Sequence, residues 1–190
     1  MAYERFLAGF ELRATAQEFA ALNGPPLSEV VRRLKATHAI AGDLDTLVGR
    51  YGAMVDQLYT EVPAAVGARR LLVEAARRGC AVVVVTSNST ARTLDWLARV
   101  DLAAYVDAIV CGDDVRHGKP HPQPYLLASQ KVSCARERII AVEDSVQGAH
   151  SAIQAGLKTY LIGAASAAAP VSSAVIAVSS LDHLVDLLWG

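Results

Sequence analysis

Residues 82–89 of the chain, VVVVTSNS, run from four consecutive valines directly into hydroxyl and amide side chains. A row of β-branched residues favours a strand that is buried on both faces, as in a parallel sheet. In α/β proteins, ligands bind beyond the carboxyl ends of such strands. The hydroxyls of Thr86 and Ser87 and the backbone N–H groups of the turn therefore predict an oxyanion site. The alternative is a helix cap, because Ser87, Asn88 and Ser89 are all good N-cap residues.

The same pattern of strand, polar loop and helix recurs along the rest of the chain. Apolar runs of strand length are found at residues 81–85, 106–110, 139–142, 159–162 and 174–178. Segments with helical periodicity separate them, which predicts an α/β fold with a parallel, Rossmann-like sheet covered by helices over residues 62–190. Residues 1–61 have apolar positions at helical spacing and no strand-like run, which predicts a helical lobe. The sequence NGPP at residues 23–26 should divide that lobe into at least two helices.

Composition limits the partners of the protein. Its 190 residues are 53% hydrophobic, and the formal net charge is -1. That charge provides no long-range attraction for nucleic acid or an anionic membrane, so we expect a small partner, no nucleic acid and no membrane. No apolar stretch reaches the roughly 18 residues of a spanning helix, and no signal-peptide pattern opens the chain, so we expect a cytoplasmic protein. The three widely spaced cysteines predict neither a disulfide nor a zinc site.

Lys119 lies in a second candidate segment, residues 118–122, with the sequence GKPHP. A glycine and two prolines around the lysine restrict the loop, and a lysine held in this way suits a fixed counter-charge for phosphate. The alternative is an ordinary solvated lysine. His117 and His121 have the spacing of a helical metal pair, but the prolines prevent the helix that would align them, so we predict no metal there.

A third segment, residues 139–149, has the sequence IIAVEDSVQGA. Here an apolar strand runs directly into Glu143 and Asp144 and then into a predicted helix. Two adjacent carboxylates at the end of a buried strand are costly unless a charge neutralises them, and a hard divalent cation with oxygen ligands does so. Capping of the following helix by Asp144 or Ser145 is the alternative, but it accounts for one acidic residue of the pair.

In this order, the three segments resemble the second, third and fourth motifs of the haloacid dehalogenase superfamily. The resemblance is to the branch with a helical cap, which includes sugar-phosphate phosphatases, phosphoglycolate phosphatases and β-phosphoglucomutase. It covers residues 62–185 closely, whereas residues 1–61 are similar to a cap region in length and helicity alone. The resemblance implies a Mg²⁺-dependent phosphohydrolase that acts on a small phosphorylated metabolite, such as a sugar phosphate, through an aspartyl-phosphate intermediate.

The resemblance also implies roles for particular residues. The phosphate-binding residues would be Thr86, Ser87, Asn88 and Lys119. Ser87 would bind the transferring phosphoryl group, and Lys119 would offset the negative charge on the nucleophile and the phosphate. Glu143 and Asp144 would hold Mg²⁺ directly or through water.

The first motif of that family, a strand followed by D-x-D-G-T, has no convincing equivalent. The one candidate pair is Asp43 and Asp45, but residues 35–42 before it form no apolar strand, and the surrounding residues continue a helical stripe. A helix of the cap region is the favoured interpretation. We therefore expect the central strand of the sheet to be missing, with a chain that starts inside the cap and is inactive by itself.

Two consequences of that expectation remain open at the level of sequence. The strands that end at Val85 and Val142 should either pair directly or be bridged by a strand from another molecule, because unpaired strand edges are costly to bury. The function has two alternatives to a phosphatase. One is a phosphomutase of the same family, and the other is a non-catalytic member that binds a phosphorylated ligand or a protein partner.

Overall fold

The computed structural model of the protein describes residues 2–22, 25–163 and 174–190. The chain divides into two compact units, Met1–Val62 and Pro63–Gly190, which we call the N-terminal and C-terminal units. None of the helices within the described ranges is long and apolar enough to cross a membrane. A surface loop expected at residues 164–169 lies outside the described residues.

The N-terminal unit is helical, as predicted. Its helices are α1 (Ala2–Ala8), α2 (Ala16–Leu22), α3 (Leu27–Thr37) and α4 (Leu44–Tyr59). The described part of the unit contains no strand. The expected break falls between α2 and α3, and Asn23 and Gly24 themselves lie outside the described residues. Phe6 of α1 is fully buried and packs edge-on against the ring of Tyr51 in α4, with 5.0 Å between the ring centroids.

The C-terminal unit alternates strands and helices. Its helices are α5 (Ala68–Arg77), α6 (Thr90–Arg99), α7 (Gln123–Gln130), α8 (Val146–Gln154) and α9 (Leu181–Trp189), and its strands are β1 (Val83–Val85), β2 (Ala108–Val110), β3 (Ile140–Glu143), β4 (Lys158–Ile162) and β5 (Val175–Val178). Short 3₁₀ helices cover Ala103–Tyr105, Gly112–Asp114 and Arg136–Arg138. All five predicted strands are present. β1 and β2 begin later than predicted, and there the Asp107 carboxylate accepts from the Val82 N–H (2.8 Å) in place of a ladder partner.

The strands form two separate parallel sheets, one of β1 and β2 and one in the order β3-β4-β5. In the three-stranded sheet, Ile140 of β3 lies opposite Lys158 of β4. Thr159 of β4 lies opposite Val175 of β5. Helices cover both faces of this sheet. Because successive strand residues point to opposite faces, neighbouring residues of the sheet pack against different helices. Ala141 packs with residues of α7 and α8, whereas Tyr160 packs with residues of α5 and α9.

The expected direct pairing of β1 with β3 is wrong for the described residues, which also include no strand paired with the open edges of these two strands. The backbone hydrogen bonds show the orientation of β1. Val82 O and Thr86 N bond to the β2 side of the sheet, and Thr86 N donates to Val110 O at 2.9 Å. Because backbone groups alternate along a strand, those of Val83 and Val85 face the opposite, open edge. A side chain, rather than a strand, contacts that edge.

Candidate functional site

Lys119 joins the carboxyl ends of the two sheets. Its Nζ donates to the carbonyl oxygen of Val85, the last residue of β1, at 3.2 Å. The same Nζ forms an ion pair with Oε1 of Glu143, the last residue of β3. Lys119 is 9% exposed and Glu143 5% exposed, so each charge depends on the other for compensation. The second, third and fourth motifs of the sequence therefore meet at this ammonium group.

The carboxylate of Glu143 is enclosed by its neighbours. The Tyr125 hydroxyl donates to Oε1, the oxygen that Lys119 also contacts. The Ser145 hydroxyl lies 3.4 Å from Oε2, and a Cβ atom at Gly148 would lie 2.0 Å from the same oxygen. Burial raises the pKa of the Tyr125 phenol well above its ordinary value, and the negative charge of Glu143 raises that pKa further. Tyr125 therefore stays protonated and acts as a hydrogen-bond donor.

Ser145 rather than Asp144 caps helix α8. Its backbone is extended, and its Oγ accepts from the Gly148 N–H at 3.0 Å. Asp144 is exposed, so its carboxylate remains accessible to solvent at the edge where β3 ends. The capping alternative therefore explains Ser145 and leaves both acidic residues to be explained in another way.

In the turn after β1, helix capping and the predicted phosphate contacts also fall on different residues. Ser89 is the N-cap of α6, and its Oγ accepts from the Arg92 N–H at 3.4 Å. The Thr86 Oγ1 accepts from the Asn88 N–H at 3.2 Å, and the Arg92 guanidinium lies 3.4 Å from the Asn88 side-chain oxygen. Thr86, Ser87 and Asn88 are all partly exposed. Helix capping is thus assigned to Ser89, and the three predicted phosphate-binding residues lie between the end of β1 and that cap.

Gly112 allows the turn after β1 to approach the loop after β2. The Gly112 N–H donates to the Asn88 carbonyl at 2.8 Å, and a Cβ atom at Gly112 would lie 2.6 Å from the Ser87 carbonyl oxygen. The Asp113 carboxylate accepts from the Thr90 N–H at 2.7 Å. These contacts fix the backbone around Ser87 from outside the segment that carries it.

Other candidates from the sequence lie in different surroundings. His117 and His121 are exposed, and their ring centroids are 4.8 Å apart. The described part of the chain contains no group of three or more His, Cys, Asp or Glu side chains that suits a metal ion.

Asp43 is the N-cap of α4, and its carboxylate accepts from the Thr46 N–H at 2.9 Å. That hydrogen bond lowers the pKa of Asp43, and Asp45 lies in the first turn of the same helix.

Two residues of the site were missed at the level of sequence. Tyr125 and Gly148 both belong to helices, and neither carries a charge or metal-binding group. A signal for Tyr125 does exist, because a buried phenol hydroxyl requires a hydrogen-bond partner. The sequence identifies no such partner, since Tyr125 and Glu143 are 18 residues apart in the chain.

A family model described as haloacid dehalogenase-like hydrolase matches residues 2–162, most of the chain. The chain therefore belongs to the haloacid dehalogenase-like hydrolase family. The matched region includes the N-terminal unit, for which the resemblance had rested on length and helicity alone.

Two phosphatases are among the relatives by sequence. A phosphorylated carbohydrates phosphatase of Thermotoga maritima is 36% identical over 77 residues, which are 40% of this chain and 36% of that protein. A phosphoglycolate phosphatase of Salmonella typhimurium is 27% identical over 146 residues, which are 77% of this chain and 55% of that protein. The chain thus spans 36% and 55% of the lengths of these two relatives.

The fold has a close counterpart among solved structures. The β-phosphoglucomutase from Clostridium difficile superposes with a TM-score of 0.84 at 15% sequence identity, over 97% of this chain and 84% of that chain. At this level of identity, the likeness supports the fold. It agrees with the predicted α/β class and with a parallel sheet covered by helices.

Proposed function

We propose that the C-terminal unit binds the phosphate group of a small phosphorylated metabolite, such as a sugar phosphate. We also propose that the chain is related to phosphohydrolases. The observation that carries this proposal is the position of Lys119. Its buried ammonium group contacts the ends of β1 and β3, at the edge where α/β proteins bind ligands. An ammonium group has three N–H donors, and two of them have partners among the described residues. We propose that the third donates to the ligand.

The turn after β1 supplies the other proposed phosphate contacts. Ser87 would donate its hydroxyl to a phosphate oxygen, with Thr86 and Asn88 beside it. Hydrogen bonds to ionised oxygens are about twice as strong as neutral ones, so a hydroxyl and an ammonium group together suit a phosphate. The two phosphatase relatives support a phosphorylated substrate. The substrate itself, and the expected cytoplasmic location, stay predictions.

Asp144 is the side chain best suited to hold Mg²⁺. Mg²⁺ is usually bound by one or two carboxylates together with substrate phosphate oxygens and water, and an exposed carboxylate next to the phosphate site suits that set. When bound, the ion would neutralise negative charge on the phosphate. Glu143 as a second ligand stays a prediction, because its Oε1 is already shared by Lys119 and Tyr125.

We also propose that the 190-residue chain does not hydrolyse the phosphorylated ligand that it binds. An aspartyl-phosphate mechanism needs a nucleophilic aspartate beside the bound phosphate. The one D-x-D sequence, at Asp43 and Asp45, begins helix α4 in the N-terminal unit and follows no strand. We therefore propose that this chain binds its ligand without hydrolysing it. This supports the non-catalytic alternative for the chain itself, while a phosphomutase stays an alternative for the family chemistry.

Calorimetric titration with inorganic phosphate in the presence of Mg²⁺ tests the binding site. We expect the wild type to bind and Ser87→Ala to bind about tenfold more weakly, because one hydrogen bond to a charged group contributes roughly 1.5 kcal/mol. Ser133→Ala is the matched control, since Ser133 is an exposed serine after α7. Absent binding by the wild type, or equal binding by Ser87→Ala, would contradict the proposal.

An assay of p-nitrophenyl phosphate hydrolysis tests the proposal that the chain has no turnover. We expect no turnover above the level of a heat-denatured control. Turnover that disappears in Asp43→Asn would contradict the proposal and assign the chemistry to the D-x-D sequence of α4.

A further inference from the structure

The Tyr125 hydroxyl donates to Glu143 although Lys119 already neutralises that carboxylate. We propose that Tyr125 is a positioning residue that acts through Glu143 and keeps the Lys119 ammonium group available to a phosphate ligand. This inference rests on the proposed function, since it concerns the same site. It adds a residue that neither contacts the ligand nor holds the metal.

Neighbouring groups hold both oxygens of the Glu143 carboxylate. Oε1 of Glu143 accepts from both Lys119 and Tyr125, and Oε2 faces Ser145 and the backbone of Gly148. A side chain at Gly148 would collide with Oε2, so the carboxylate has no room to turn toward helix α8. Glu143 is therefore held in one orientation by contacts on both oxygens.

The buried Tyr125 hydroxyl needs a hydrogen-bond partner. Tyr125 is 6% exposed and packs with Ala141 and Ala152, a position that a phenylalanine would fill equally well. Burying a hydroxyl without a partner is costly, so its hydrogen bond to Glu143 is required once the tyrosine is present. The packing explains an aromatic ring here, and the carboxylate explains the hydroxyl.

Tyr125 affects Lys119 through the oxygen that they share. Each hydrogen bond that a carboxylate oxygen accepts offsets part of its negative charge, so the Tyr125 hydroxyl reduces the attraction between Oε1 and the ammonium group. With the Tyr125 hydroxyl in place, Glu143 neutralises Lys119 without drawing the ammonium group fully to itself. Without that hydroxyl, Lys119 would be the sole strong partner of Oε1 and would be less available to an anion. The Lys119 Nζ also lies 5.4 Å from the centroid of the Tyr125 ring, a contact that phenylalanine would keep.

This arrangement predicts a difference between two binding measurements. Tyr125→Phe should weaken binding of inorganic phosphate about threefold to tenfold, because it changes the surroundings of Lys119. The same substitution should leave Mg²⁺ binding unchanged within error, because Asp144 is the proposed ligand. A general loss of structure would weaken both, so the difference between them identifies a positioning role.

Tyr160→Phe is a closely matched control. Tyr160 is also a buried tyrosine of the C-terminal unit, and Lys158 Nζ lies 5.4 Å from its ring centroid. It packs with Val178 and Leu184, away from Glu143. Both phosphate and Mg²⁺ binding should be unchanged in this variant.

Glu143→Gln provides a second variant and completes a double-mutant cycle. If Tyr125 acts through the charge of Glu143, then adding Tyr125→Phe to Glu143→Gln should cause no further loss of phosphate affinity. Calorimetry on the wild type, the two single variants and the double variant measures this. Equal phosphate affinity in the wild type and Tyr125→Phe, or an undiminished tyrosine effect in the Glu143→Gln background, would overturn the inference. A wild type that fails to bind phosphate would instead overturn the proposed function.

Discussion

The D-x-D pair of α4 and the E-D pair before α8 both lie at helix N-termini, and they have different surroundings. Asp43 and Asp45 begin α4 in the N-terminal unit, where both are exposed and Asp43 caps the helix. Glu143 and Asp144 precede α8 in the C-terminal unit, where Ser145 is the cap and Glu143 is buried. The D-x-D spacing is thus the spacing of a helix start, whereas the E-D pair is not used for capping.

The difference follows from the residues that precede each pair. A turn with Gly42 at a φ of 110° leads into Asp43, so its carboxylate is free to fold back onto the first turn of α4. Strand β3 leads into Glu143 and fixes its side chain on the same buried face as Ala141, where Tyr125 and α8 pack. The buried carboxylate of Glu143 therefore requires a counter-charge, and Lys119 provides it.

The largest expected effect is that of removing this counter-charge. Lys119→Met should lower the free energy of unfolding by about 3–5 kcal/mol, because it leaves the buried Glu143 carboxylate without a cation. Urea denaturation of the variant and the wild type measures the change. The double variant Lys119→Met/Glu143→Leu should recover most of the loss, since replacing a buried ion pair with apolar groups is often neutral. A loss below about 1 kcal/mol in the single variant would show that Glu143 is solvated, as Asp43 is.

Glycines in the two helices should respond with opposite signs to the same substitution. Gly148→Ala in α8 should destabilise the protein by about 1–3 kcal/mol, because the new Cβ would lie 2.0 Å from a carboxylate oxygen that its partners hold in place. Gly49→Ala in α4 should stabilise it by about 0.5–1 kcal/mol, since nothing lies within 4 Å of that Cβ position. Urea midpoints compare the two, and a stabilising Gly148→Ala would show that Glu143 moves freely.

Mg²⁺ binding should distinguish the two acidic pairs next. Asp144→Ala should weaken Mg²⁺ binding at least tenfold, a change of about 1.4 kcal/mol, because it removes the exposed carboxylate at the end of β3. Asp45→Ala, which removes an exposed carboxylate from the first turn of α4, is the control and should have no effect. Titration calorimetry with Mg²⁺ measures both. Equal binding by Asp144→Ala and the wild type would remove the metal role from the E-D pair.

The smallest expected effect concerns the N-terminal unit and alkaline pH. Burial, followed by a hydrogen bond to Glu18, raises the pKa of Tyr3 above its ordinary value of 10.0. Because the folded state then retains a proton that the unfolded state loses, this contribution to stability is fully present below pH 10 and falls as pH rises through the raised pKa. Urea midpoints at several pH values above 9 should therefore fall less steeply for Tyr3→Phe than for the wild type. Identical slopes would contradict the prediction.

Much of this architecture could be predicted because its signals are local. Four consecutive valines before Thr86 predict a strand, and the apolar run before Glu143 predicts another. Both strands are present, but β1 is half-buried along its length and not buried on both faces. The alternation of such runs with helical periodicity predicts a parallel sheet with helices, and the structure confirms it. The position of Lys119 between a glycine and two prolines predicts a charge held in a fixed place.

The remaining features required contacts between distant segments. The choice of Ser89 and Ser145 as caps, among several suitable neighbours, depends on where each strand ends in space. Direct pairing of β1 with β3, one of the two predicted arrangements, is wrong for the described residues, and the Lys119 side chain contacts the open edge of β1 instead. Bridging by a strand from another molecule stays a prediction. The D-x-D pair lies at the start of a helix, as predicted from the absence of a strand pattern in the residues before it.

By itself, the sequence determined which segments become strands and helices and which polar residues follow them, because periodicity and β-branching act within a few residues. The tertiary structure decided the partners of those polar residues. In the folded protein, Tyr125 and Gly148 contact the Glu143 carboxylate. Lys119 donates a hydrogen bond to the carbonyl oxygen of Val85. Burial of a charge is satisfied by whichever groups the fold brings within hydrogen-bonding distance, and that choice depends on packing between segments far apart in the chain.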